Sequence, residues 1–251
     1  MHIFDTFNLS VWQWLWIVIS ALLIGFSKTG ISGFTMPVIP IIAAVFGGKQ
    51  STGIILPMLI IGDIFALYYY NRHAELKDIK KLLPWALVGI ILGGITGNYI
   101  NDKQFKLFIA VSVLLCLAIL IHIERKGDNF KLPKGIWFYS FIGVVAGFTS
   151  MIGNAAGPIF SVYLLAMGFK KNNFLGTTAW FFFLINITKL PLQILFWHNI
   201  TLKSLALDLT MLPAIAIGAF FGAIIVKKIK EKPFRILIIV MTALAAVRLL
   251  L

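Results

Sequence analysis

Ten apolar stretches of 14 to 24 residues, joined by short polar loops, leave this chain few ways to fold. They span 11–27, 31–46, 51–70, 82–100, 105–122, 136–149, 155–168, 174–197, 205–226 and 234–250. Inside hydrocarbon no water bonds to the backbone, so stretches of this kind become helices. A full crossing takes about 20 apolar residues; 31–46, 136–149 and 155–168 are short of that. The chain is 60% hydrophobic and 12% charged, with a mean hydropathy of +0.95. A soluble chain has about 45–50% apolar and about 25% charged residues. The expected fold is therefore an all-α polytopic membrane protein with no separate soluble domain. No basic region precedes the first apolar run and no small-residue cleavage site closes it, so no cleavable signal peptide is expected. The single cysteine, Cys116, excludes an intrachain disulfide. A net charge of +13 would suggest nucleic acid in a soluble protein. Here the basic residues lie in short loops, where they set topology instead.

The two halves repeat. Pro37 matches Pro158 at an offset of 121, and Gly53 and Asp63 match Gly176 and Asn186 at 123. Pro84, Gly89, Gly93 and Phe105 match Pro213, Gly218, Gly222 and Phe234 at 129, and Lys106 matches Arg235 at the same offset. Ordered offsets that drift only through loops are what a duplication leaves. The division is 1–125 for the first repeat and 126–251 for the second. Each half holds five segments, an odd number, so the second should be inverted. Loop charge gives an independent check: with 71–81 inside, 15 Lys and Arg fall inside. Five, namely Lys49, Lys103, Lys106, Lys203 and Arg248, fall outside, and Lys28 and Lys189 lie within or beside apolar segments. That bias places both termini outside. Parity alone leaves open whether 11–46 and 136–168 are pairs of crossings or hairpins that turn back midway.

Glycine-rich stretches interrupt both halves: GFSKTGISGFTMP at 25–37 and GFTSMIGNAAGP at 147–158. Irregular backbone at membrane depth is tolerated where it is buried in protein or lines a watery cavity. Inverted repeats that bring interrupted helices together near the midplane are a secondary-transporter architecture. The first stretch supplies Ser27, Lys28, Thr29, Gly30, Ser32, Gly33 and Thr35; the second supplies Thr149, Ser150, Gly153, Asn154 and Gly157. Pro37 and Pro158 sit early in the segments that follow, where the missing N–H costs little. Those segments would present helix N-termini, with free N–H groups, to an anion. The competing reading is close helix packing through small residues, which also accounts for Gly89-xxx-Gly93 and Gly218-xxx-Gly222.

Isolated polar residues extend the pattern. Asp63 lies about 18 Å into its segment, near the midplane, and Asn186 is its repeat mate. A carboxylate there needs a partner, a coupling cation or a proton; a structural hydrogen bond to another helix is the plainer alternative. Lys189, three residues past Asn186 on a similar face, either binds an anion or snorkels toward the outer surface. Lys28 is an ordinary surface lysine if its segment crosses fully, and a site residue only if that segment stops midway. Gln193 either extends the polar face or packs. His122 and His198 flank segment ends and read as interfacial, and Trp12, Trp14 and Trp16 as an aromatic belt. Four scattered histidines and one cysteine make no metal constellation, and no phosphate loop, nucleophile elbow or H-E-x-x-H is present.

At these residues the chain resembles the TauE/SafE family, the sulfite-exporter-like membrane permeases. The family's signature is of the type G-x-G-G-x-x-x-P after the first apolar run, repeated in the second half. GISGFTMP, Gly30 to Pro37, matches with Ser32 where glycine is common, and GNAAGP, Gly153 to Pro158, is a more divergent second copy. FLGTTAWFFFLINITK, Phe174 to Lys189, resembles the family's segment carrying N-x-x-K. The resemblance covers nearly the whole chain. It implies a secondary transporter of small sulfur-containing anions such as sulfite or organosulfonates, often working outward, in a bacterial cytoplasmic membrane. The anion would bind between the two interruptions, with charge from Lys189 and hydrogen bonds from Ser32, Thr35, Ser150 and Asn154. Asp63 would take the coupling proton or cation. The partners expected are the small anion, the lipid bilayer, a proton or sodium ion and, as one compatible assembly, a homodimer; nucleic acid, cofactor and metal are not expected. A passive anion channel and a carrier of another small organic anion, such as a carboxylate, are the alternatives. The absence of a catalytic pair argues against an enzyme.

Overall fold

The fold is described from a computed structural model, which covers residues 9–35, 37–97, 99 and 135–250. The expected segment 105–122, with Cys116 and His122, lies outside the described residues. Ten α-helices are found among the described residues. Helix α1, Val11–Thr29, starts at a reciprocal cap: the Ser10 hydroxyl accepts from Gln13 N at 3.3 Å, and Gln13 Oε1 accepts from Ser10 N at 2.8 Å. Helix α2, Val38–Phe46, begins with Pro37 at its N-cap and ends at Gly47, whose φ of 87° turns the chain into α3, Gly48–Tyr70. A 3-10 turn, Asn71–His73, leads to α4, Leu76–Thr96. The second half holds α5 (Ile136–Gly153), α6 (Gly157–Ala166), α7 (Lys171–Leu195), α8 (Leu202–Thr210), α9 (Leu212–Lys228) and α10 (Glu231–Leu250).

Among the described residues five helices, α1, α3, α4, α5 and α7, are long and apolar enough to cross a membrane, and α8 with α9, bent by 47°, passes the same test only when the pair is taken as one span. Three expected segments differ from the observed helices. The stretch 136–149, read as short of a crossing, continues as helix to Gly153 and at 18 residues is long enough to cross. The stretch 31–46 is helical only from Val38, because glycine, serine and proline hold its start in turns. The stretch 205–226 is two helices, with Pro213 in the first turn of the second. Helices α2 and α6 have 9 and 10 residues. At about 1.5 Å per residue each is about half as long as the hydrocarbon core is thick.

Backbone-to-backbone packing at glycine sets the helix arrangement. A Cβ at Gly218 would strike the Leu22 carbonyl and one at Gly222 the Phe26 carbonyl, which seats α9 on α1. A Cβ at Gly89 would strike the Val144 carbonyl and one at Gly93 would meet Phe148, which seats α4 on α5. The central pair, α3 and α7, runs antiparallel: Gly53 lies against the Asn199 carbonyl beyond α7, and Gly176 against Tyr70 and His73 at the end of α3. Two apolar clusters flank this pair. One gathers Ile17, Ile24, Ile42, Met58 and Ile215, and the other gathers Phe160, Tyr163, Phe174, Phe181 and Ile159. Phe160 and Phe181 stack with ring centroids 4.0 Å apart. Trp12, Ile91, Ile95, Trp137, Phe220 and Phe221 point outward and exposed, as expected of side chains that face lipid rather than water.

Candidate functional site

A chain of polar contacts crosses the centre of the bundle. Lys28, in the last turn of α1, reaches Asp63 of α3, Nζ to Oδ1, at 2.6 Å. Asn186 of α7 donates from Nδ2 to the other carboxylate oxygen at 2.7 Å. The Asn186 carbonyl oxygen accepts from Lys189 at 3.0 Å. Lys189 also donates to Asn154 Oδ1 at 2.6 Å, to the Ser150 carbonyl at 3.0 Å and to the Ser150 hydroxyl at 3.1 Å. Asn154 Nδ2 then reaches the Thr52 carbonyl at 3.4 Å. Asp63 and Lys189 are both 0% exposed. A buried charge is costly unless paired or hydrogen-bonded: Asp63 is paired with Lys28 and bonded by Asn186, whereas Lys189 is hydrogen-bonded to neutral oxygens and has no carboxylate partner among the described residues.

Local sequence explains the placement. Gly30 ends α1 one turn past Gly25, and Thr29 ties the end down by donating to the Ala219 carbonyl at 2.6 Å. Tyr70 caps the Thr29 carbonyl at 2.8 Å. Lys28 is therefore held beside Asp63, 10% exposed. On the other side Asn154 adopts the left-handed conformation, φ 54°, as the C-cap of α5. Asparagine tolerates that region through its short polar side chain. The same turn aims its amide at Lys189.

A small cavity of about 40 Å³ opens above this chain. Its walls are Ser27, Lys28, Ser32, Gly33 and Thr35 from the first glycine-rich stretch, and Ser150, Asn154 and Gly157 from the second. Leu59, Thr178, Phe182 and Asn186 complete it. By the usual water-sized scale this is room for a few water molecules or an oxyanion of a few heavy atoms. Lys28 faces it at 10% exposure, with its ammonium 4.7 Å from the Phe182 ring centroid. A larger depression of about 370 Å³ lies between α1 and α2, lined by Trp16, Pro37, Pro40, Ile41, Ala44 and Val45. Apart from the Trp16 indole N–H its lining is apolar and uncharged, so the smaller, polar cavity is the candidate site.

Of the residues singled out in the sequence, Lys28, Ser32, Gly33, Thr35, Ser150, Asn154 and Asn186 meet at this cavity. Lys189 neither snorkels nor lines the cavity; it sits behind it as a buried strut. Asp63 is the counter-ion of Lys28. Gly30 packs on Gly222, Thr149 donates to the Val145 carbonyl of its own helix at 2.8 Å, and Gly153 closes α5; none of the three lines the cavity. Gln193 is 0% exposed and neither of its amide atoms has a hydrogen-bond partner among the described residues. Sequence reasoning missed Thr178 and Phe182. Both lie on the Asn186 face of α7, eight and four residues earlier, a spacing that could have flagged them. It also missed Asp208 of α8, 1% exposed and with neither carboxylate oxygen hydrogen-bonded among the described residues.

The fold and site together define an integral membrane protein with a charged, polar centre enclosed by lipid-facing helices. The chain belongs to the sulfite exporter TauE/SafE family, whose family model matches residues 17–249. That family is one of membrane transporters for sulfite-like anions. Comparison with curated proteins and comparison with solved structures each give no match.

Proposed function

We propose that this protein is a secondary carrier that moves small oxyanions of the sulfite type across the bacterial cytoplasmic membrane by alternating access. The single observation that supports it best is the cavity where both glycine-rich stretches converge around the Lys28 ammonium. Lys28 would supply the charge that meets the anion. Ser32, Thr35, Ser150, Thr178 and the Asn154 amide would supply neutral hydrogen bonds, and the first turns of α2 and α6 would add their positive dipole ends. The cavity's size favours sulfite over bulkier organosulfonates. Outward transport follows the family's description as sulfite exporters.

An inverted duplication with interrupted helices is part of this reading, with both termini outside. Its support is an exchange of contacts between halves. Helix α9 of the second half seats its glycines on α1 of the first, and α4 of the first seats its own on α5 of the second. Asp63 and Asn186, repeat mates in sequence, bond to each other. The half-length helices α2 and α6 follow the two interruptions. In such carriers one bundle rocks against the other around a fixed site.

The test is a ligand-dependent melting screen of the purified protein against sulfite, organosulfonates, carboxylates and phosphate. A ligand that binds only the folded state raises its stability. Sulfite should raise Tm in a saturable way in the native protein and not in Lys28→Met. Stabilisation by a sugar or a cation and by no anion would overturn the substrate class.

A further inference from the structure

The charges beside the cavity can be counted from geometry. Lys189 is held by three carbonyl-type oxygens: Ser150 O at 3.0 Å, Asn154 Oδ1 at 2.6 Å and Asn186 Oδ1 at 3.0 Å. The orientation of both amides is set by their other ends. Asn186 turns its NH2 to the Asp63 carboxylate, and Asn154 turns its NH2 to the Thr52 carbonyl. Three acceptors call for three N–H donors, and only the ammonium form of lysine has three. In that form, with the Ser150 hydroxyl at 3.1 Å as a fourth contact, Lys189 carries one positive charge. Lys28 and Asp63, at 2.6 Å, are a pair of opposite charges. The three groups sum to one net positive charge in a place largely closed to water.

Among the described residues no acidic side chain on the elements packed against α3 pairs with these groups, and the 3-10 turn at the end of α3 adds only Arg72 and His73. Helix α1 contributes Lys28, α7 contributes Lys189, and α2 contributes none. Helix α9 carries Lys227 and Lys228 only at its far end. Asp208 of α8, the other buried carboxylate among the described residues, makes no hydrogen bond or ion pair with Asp63 or either lysine there. The remaining cavity walls are uncharged.

On the anion-site reading above, we infer that the cavity accepts one negative charge at a time: an oxyanion binds alone as a monoanion, whereas a dianion binds only together with one proton, taken from water onto Asp63. A monoanion brings the enclosed cluster to neutrality. A dianion would leave it negative by one, and an uncompensated charge in a dry interior is expensive. Protonation of Asp63 removes that excess and frees Lys28 for the ligand. Asp63 thereby reads the charge state of the cargo and couples proton movement to it.

The test uses sulfate and methanesulfonate, which share a tetrahedral shape and differ by one charge. Titration calorimetry of the purified native protein in buffers of different ionisation enthalpy counts the protons taken up on binding. Sulfate should take up about one proton and weaken about tenfold per unit rise in pH. Methanesulfonate should take up none and show a flat profile. In Asp63→Asn, sulfate binding should lose both its proton uptake and its pH slope. Equal proton counts for the two anions in the native protein would overturn the inference while leaving the anion site standing. Failure of both anions to bind would overturn the anion site itself, and the inference with it.

Discussion

Removing the ammonium of Lys28 should cost more than removing the carboxylate it faces. In Lys28→Met, Asp63 stays fully buried and keeps only the Asn186 amide, at 2.7 Å. Breaking a buried ion pair from one side costs about 3–5 kcal/mol, because the other charge is left uncompensated. In Asp63→Asn, Lys28 still borders a polar cavity and the Phe182 ring. A loss of about 1–3 kcal/mol is expected there. The double variant removes both charges, so its cost should lie near that of Asp63→Asn alone. The coupling energy then equals in size the cost of Lys28→Met itself, about 3–5 kcal/mol, at or above the top of the usual range for contacting residues. Denaturant or thermal unfolding of the four proteins in one detergent gives the cycle. Additive losses, with a coupling below about 0.5 kcal/mol, would refute the pairing on which both the site and its charge count rest.

Three further outcomes follow from single positions. A Cβ at Gly157 meets nothing within 4 Å, so Gly157→Ala should leave Tm unchanged or slightly higher while narrowing the cavity and weakening sulfite binding; unchanged affinity would remove Gly157 from the wall. A side chain at Gly218 runs into the Leu22 carbonyl, so Gly218→Val should destabilise by about 1–3 kcal/mol or more, read as a lower Tm; native stability would contradict the α1–α9 seating. Gln193 is buried with both amide atoms unpartnered among the described residues, so Gln193→Met should stabilise by about 1–3 kcal/mol; a fall in Tm would mean that the amide holds something the protein needs.

Much of this arrangement was legible in the sequence, and the rest was not for identifiable reasons. Helix spans followed from apolar length, and Asp63 and Asn186 stood out through depth and repeat position. Their direct hydrogen bond did not, because it depends on how α3 and α7 face each other. Lys28 stayed open between surface and site because linear distance from the start of α1 says nothing about Thr29 and Tyr70 anchoring the helix end at Asp63. Lys189 carried the right charge but a different place: the carbonyl cradle that holds it behind the cavity comes from α5, 39 residues away in the case of Ser150. The split between α8 and α9 did leave a signal in Pro213, since proline favours the first helical turn. Uniform hydrophobicity across 205–226 hid it.

The carrier reading is tested most directly by counterflow in liposomes that hold the purified protein. Labelled sulfite outside should enter faster when unlabelled sulfite is loaded inside, with saturable kinetics, and this stimulation should vanish in Lys28→Met. Entry that rises linearly with concentration and ignores the internal load would contradict the account, because a pore needs neither an enclosed site nor a lysine that waits in it.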